Sequence, residues 1–79
     1  MWYQLKITRP ENQPDFRYPQ TEELYFSRVG QLNGQGILFG HPKFEPRILE
    51  TTFERCDDPE IVKDAFKGWG QITCEQVKR

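Results

Sequence analysis

The chain opens on a strict alternation of apolar and polar positions. From Trp2 to Arg9 (WYQLKITR), Tyr3, Leu5 and Ile7 fall on one parity and Trp2, Gln4, Lys6 and Thr8 on the other, so a strand with one buried face is predicted. The same period of two returns in Arg47–Cys56 (RILETTFERC). There Leu49, Thr51 and Phe53 oppose Ile48, Glu50, Thr52 and Glu54, in a segment rich in β-branched and aromatic residues. Between these two strands the pattern is less regular. Glu22–Val29 (EELYFSRV) runs Leu24, Tyr25 and Phe26 consecutively and reads as a second strand of ambiguous inward parity. Gly30–Gly36 (GQLNGQG) contains Asn33-Gly34, two residues that tolerate positive φ, and reads as a hairpin turn. Gly36–His41 then becomes a third strand, antiparallel to the second, with Ile37 and Phe39 on one side and His41 following their parity. Pro42–Pro46 is a kinked loop, because proline fixes φ and removes a donor.

The period changes after Cys56. Asp58 suits a helix cap, Pro59 the first helical position, and Glu60 the positive end of the macrodipole. Ile61, Val62, Ala65, Phe66 and Trp69 form an apolar stripe at helical spacing, Lys63, Asp64 and Lys67 face out, and Gly68 ends the element. Gln71–Lys78 (QITCEQVK) is a closing strand whose natural partner is the N-terminal one. Pro10, Pro14 and Pro19 make residues 10–19 an irregular loop carrying Phe16, Arg17 and Tyr18. The expected fold is α+β, a single domain over residues 1–79. It has a mainly antiparallel sheet of four to five strands in ββββαβ order, with one helix packed on one face.

Composition narrows the picture. A chain of 79 residues holds one small core, and six Phe, three Tyr and two Trp must supply most of its buried area. The net charge of −1 argues against bulk attraction to a polyanion, although a mild basic excess lies before Ile48 and an acidic one after it. Cys56 and Cys74 fit neither a redox CxxC pair nor a zinc site. They read as two reduced, half-buried thiols, and a bridge between them requires neighbouring strands. Without a signal-peptide pattern or an apolar run near the ~20 residues that span a bilayer, a cytoplasmic location with no membrane contact is expected.

Candidate chemistry concentrates in Gly30–Pro46, which holds four of the six glycines, two of the six prolines and the only histidine, His41. As a catalytic base His41 would need Ser27, Cys56 or Cys74 as nucleophile and Glu45 or Glu50 as orienting group, and no local signature unites them. Pro42 holds His41 extended, which suits a strand end equally well. Glu22 and Glu23 would point to opposite faces of a strand, and Asp57 and Asp58 are explained by capping. Gly34-Gln35-Gly36 with Gly40 lacks the lysine and the following helix of a phosphate loop. No enzymatic activity, metal or cofactor is expected.

Binding remains. One helix cannot cover this many rings, so Trp2 and one of Tyr25 or Phe26 are expected on a bare sheet face, and exposed rings beside arginines are typical interface anchors. An open edge strand is a second surface, and a homodimer is a further way to cover either. The preferred reading is a small non-enzymatic module that binds a protein partner. Its size suits an accessory regulator or inhibitor of phage or mobile-element type. The alternative is a single-stranded nucleic-acid binder using loops 9–19 and 41–47. The residues expected to bind are His41, Lys43, Phe44, Arg47, Arg17, Tyr18 and Trp2.

Overall fold

The structure is a computed structural model that describes residues 2–77. Its elements are β1 (Trp2–Thr8), α1 (Pro19–Gly34), β2 (Leu38–Phe39), β3 (Lys43–Phe44), β4 (Ile48–Glu54), α2 (Glu60–Ala65) and β5 (Gln71–Val77). The strands form one antiparallel sheet in the order β2-β4-β1-β5, with β3 also paired to β4, so the α+β class is as expected. Lys78, the last residue expected in the closing strand, lies outside the described residues.

The parities read from the sequence hold in β1 and β4. Leu5, Ile7, Leu49 and Phe53 are fully buried, and the register sets Tyr3 opposite Phe53, Leu5 opposite Thr51 and Ile7 opposite Leu49. On the far side of β1, Leu5 faces Cys74 and Ile7 faces Ile72, extending the apolar surface onto β5. α2 and the turn after it close one part of it with Val62 and Phe66, both fully buried, while Ile61 of the expected stripe is exposed and the helix ends at Ala65, before the expected stop at Gly68. Its start is built as predicted: Pro59 already has helical dihedrals, and the Asp58 carboxylate accepts the Glu60 backbone N–H at 3.1 Å.

The element order departs from ββββαβ. Glu22–Val29 is the middle of a helix of 16 residues, and Gly30 and Gly34 belong to it instead of to a hairpin. Pro19 opens α1 at its first position, and Thr21, Tyr25 and Leu32 form its buried line at helical spacing. Its end is a Schellman motif. Ile37 N–H donates to the Leu32 carbonyl, Gly36 N–H donates to that of Asn33, and Gly36 takes φ +93°, open to glycine at no steric cost. Ile37 and Leu32, the apolar pair that accompanies such a motif, are both buried. The third strand therefore cannot pair with a second. It shrinks to β2, which pairs with β4, and Lys43–Phe44 of the expected loop pairs beside it as β3.

Both helices cover the same sheet face, and rings join them. Tyr25 of α1 stacks on Phe66 at 5.9 Å, Phe66 meets the Trp69 edge at 5.0 Å, and Phe53 lies between Tyr3 and Phe39. The opposite face presents Gln4, Lys6, Thr8, Glu50, Gln71, Thr73 and Glu75 as a shallow polar trough. Tyr25 and Phe26 are thus not on the bare face, because they ride on the helix that covers the other one. Trp2, at one end of the bare face by register, is half-buried.

Candidate binding groove

Phe39 and Phe44 point inward because pairing sets Phe39 opposite Phe53 and Phe44 opposite Leu49, two inward positions of β4. Between them the chain leaves the sheet at Gly40–Pro42. Gly40 N–H donates to the Thr52 carbonyl at 2.7 Å and its own carbonyl accepts from the Thr51 hydroxyl at 3.2 Å, so the excursion is anchored at its base. A Cβ on Gly40 would stand 2.5 Å from Thr52 Oγ1, which is why a glycine sits at this close approach. Across from it, α1 presents Tyr25, Phe26 and Val29. The result is a groove of about 530 Å³ lined by Tyr25, Phe26, Val29, Phe39, His41, Pro42 and Phe44, with Gly40 at its wall.

The groove is mainly aromatic. Phe26 and Phe44 rings meet at 6.1 Å, Tyr25 meets Phe44 edge-on at 5.2 Å, and Phe26 keeps 54% of its surface exposed. Among the described residues no lysine, arginine, carboxylate, serine or cysteine lines it, so none of the nucleophiles or orienting acids weighed for His41 stands in this lining. Tyr25 forms the floor at 1% exposure, and its hydroxyl has no hydrogen-bond partner among the described residues. Burial raises its pKa, an effect the nearby Thr51 hydroxyl partly offsets.

The residues singled out in the sequence divide. His41 and Phe44 are in the groove. Lys43, next in chain to Phe44, points to the opposite face opposite Glu50, where its ammonium lies 3.7 Å from Glu45. Tyr18 caps the start of α1 and is exposed, as is Arg17, whose backbone N–H donates to Asp15. Arg47 is a clamp: its guanidinium donates to the carbonyls of Pro10 and Gln13 at 2.9 and 2.7 Å. Arg9, unremarked in the sequence, does the same work, donating to the Trp69 and Pro14 carbonyls and lying over the Phe16 and Trp69 rings. Burial, then the neighbouring Arg47 charge, draws the Arg9 pKa down. Phe16 is fully buried and offers no stacking platform.

Phe39 lies in a strand, as expected, whereas Tyr25, Phe26 and Val29 are the groove residues that strand reasoning placed elsewhere. The signal that locates them is the bracket of Pro19 and Gly36 around Thr21, Tyr25, Val29 and Leu32. Cys56 and Cys74 are free thiols packed at the α2 side of the core. Burial is the main cause that raises the Cys74 pKa. Among the described residues no cluster of His, Cys, Asp and Glu could hold a metal ion, and no helix is long and apolar enough to cross a membrane. Comparison with protein-family models, with curated proteins and with solved structures gives no match for this chain.

Proposed function

We propose that this chain is a non-enzymatic binding module whose α1/β2–β3 groove receives apolar side chains from a protein partner, so that it regulates or inhibits that partner by occlusion. The observation that carries the reading is Phe26, more than half exposed yet in ring contact with Tyr25 and Phe44. Rings held rigid at the mouth of a concave apolar surface lose little entropy on binding and are the usual anchors of interfaces. The absence of lysine and arginine from the groove lining among the described residues favours an uncharged apolar segment over a nucleic acid, whose phosphates need such side chains beside the stacking rings.

The test compares immobilised wild-type chain with Phe26→Lys in a lysate of the source cells. Wild type is expected to retain a protein that Phe26→Lys loses, with affinity reduced by about 2 kcal/mol or more, while the two variants share one circular-dichroism spectrum. Retention indifferent to Phe26→Lys sinks the groove reading. Salt-sensitive capture of short oligonucleotides, weakened by Arg17→Ala with Lys43→Ala, transfers the function to the nucleic-acid alternative.

A further inference from the structure

The two edges of the sheet are built differently. At the β2/β3 edge the outer strands have two residues each and are interrupted by Gly40, His41 and Pro42, a pattern that denies an incoming strand a continuous ladder. The β5 edge has no such device. β5 runs unbroken for seven residues, Gln71–Val77, contains no proline, glycine or lysine, and carries a single charge, Glu75. Among the described residues its backbone pairs with β1 alone, so every second residue turns its N–H and C=O outward. None of its residues is buried, and no backbone bond beyond the β1 ladder involves them among the described residues.

We propose that this edge pairs with the same strand of a second copy, antiparallel about a two-fold axis at Cys74, to make one continuous sheet across two molecules. A two-fold axis perpendicular to the sheet keeps each molecule's helix-covered face on the same side, so residues meet partners of their own parity. Centred on Cys74, the whole strand is used: Gln71 meets Val77, Ile72 meets Gln76, Thr73 meets Glu75, and Cys74 meets itself. On the polar face the Thr73 hydroxyl, which in the single molecule donates to the Lys6 carbonyl at a long 3.4 Å, can turn to donate to the opposing Glu75 carboxylate, twice by symmetry. Shifting the centre to Glu75 would set two carboxylates face to face, and shifting it to Thr73 would shorten the overlap. The strand is thus self-complementary in the register that pairs most of it. A single strand pair is a small interface, so the dimer is expected to exchange with monomer at micromolar to millimolar concentration.

Sedimentation velocity on the full chain over that range is expected to show a reversible monomer–dimer equilibrium. Thr73→Glu sets like charges opposite Glu75 at two places and should weaken dimerisation about tenfold, and adding Glu75→Lys should restore it by making both pairs attractive. Thr73 is exposed and faces Lys6 within its own molecule, so the substitution is compatible with folding, which circular dichroism of the monomer checks. Directly opposed antiparallel residues sit within disulfide reach. Mild copper–phenanthroline oxidation of Cys56→Ser should therefore yield a dimer linked through Cys74. A chain that stays monomeric throughout, a dimer indifferent to Thr73→Glu, or one that does not cross-link through Cys74 overturns the proposal.

Discussion

Tyr25 is the residue on which the groove and the core both rest. Its ring touches Phe26, Phe44 and Phe66, while its hydroxyl is buried with no hydrogen-bond partner of good geometry among the described residues. A buried unpartnered hydroxyl costs free energy that a phenyl ring would not, so Tyr25→Phe should be neutral or stabilising by about 1 kcal/mol at neutral pH. The raised pKa adds a second consequence. In the unfolded chain the phenol ionises near 10.0, but the folded site holds the proton to higher pH. The unfolded state therefore binds fewer protons there, and stability present below that pH is lost as pH climbs toward the folded value. Denaturant melts of wild type and Tyr25→Phe should diverge above pH 10.0, wild type losing stability faster. Parallel curves would show that Tyr25 is not the group responsible.

At the scale of elements, α1 is where strand reasoning and the structure part. Three large apolar residues in a row, Leu24, Tyr25 and Phe26, mimic a buried strand, and Asn33-Gly34 mimics a hairpin. The helix wins because Pro19 and Gly36 fit its two ends and because Tyr25 and Leu32 then join the buried residues of β1 and β4 in one core. Gly30 is then an ordinary helix residue with open space around it, so Gly30→Ala should stabilise by about 0.5 to 1 kcal/mol. In a hairpin turn the same change would destabilise, and a chemical melt separates the two. The loop between β1 and α1 depends on its clamps. Arg47→Ala removes donors to the Pro10 and Gln13 carbonyls, and it should cost about 1 to 2 kcal/mol and speed amide exchange in residues 10–18. Arg17→Ala, at an exposed side chain, should change neither quantity.

Across the whole molecule, the strand order β2-β4-β1-β5 sends the aromatic groove and the open edge to opposite sides of the sheet. Three strand spacings, about 14 Å, separate them. Phe26→Lys should therefore leave the monomer–dimer equilibrium unchanged, and Thr73→Glu should leave partner capture by the groove unchanged. A double variant that behaves otherwise would reveal coupling through the sheet. The local periods of the chain were enough to locate β1, β4, the start of α2 and β5, to set the buried parities of β1 and β4, and to give the α+β class, because alternation and helical spacing are properties of neighbours in sequence. His41 and Phe44 were legible as surface candidates for the same reason, being rigidly held beside Pro42. Tertiary structure alone decided that Tyr25 and Phe26 stand across from Phe39 and Phe44, and that Arg47 closes a loop. Those are contacts between segments far apart in the chain, and no local pattern encodes which apolar face a given segment will meet.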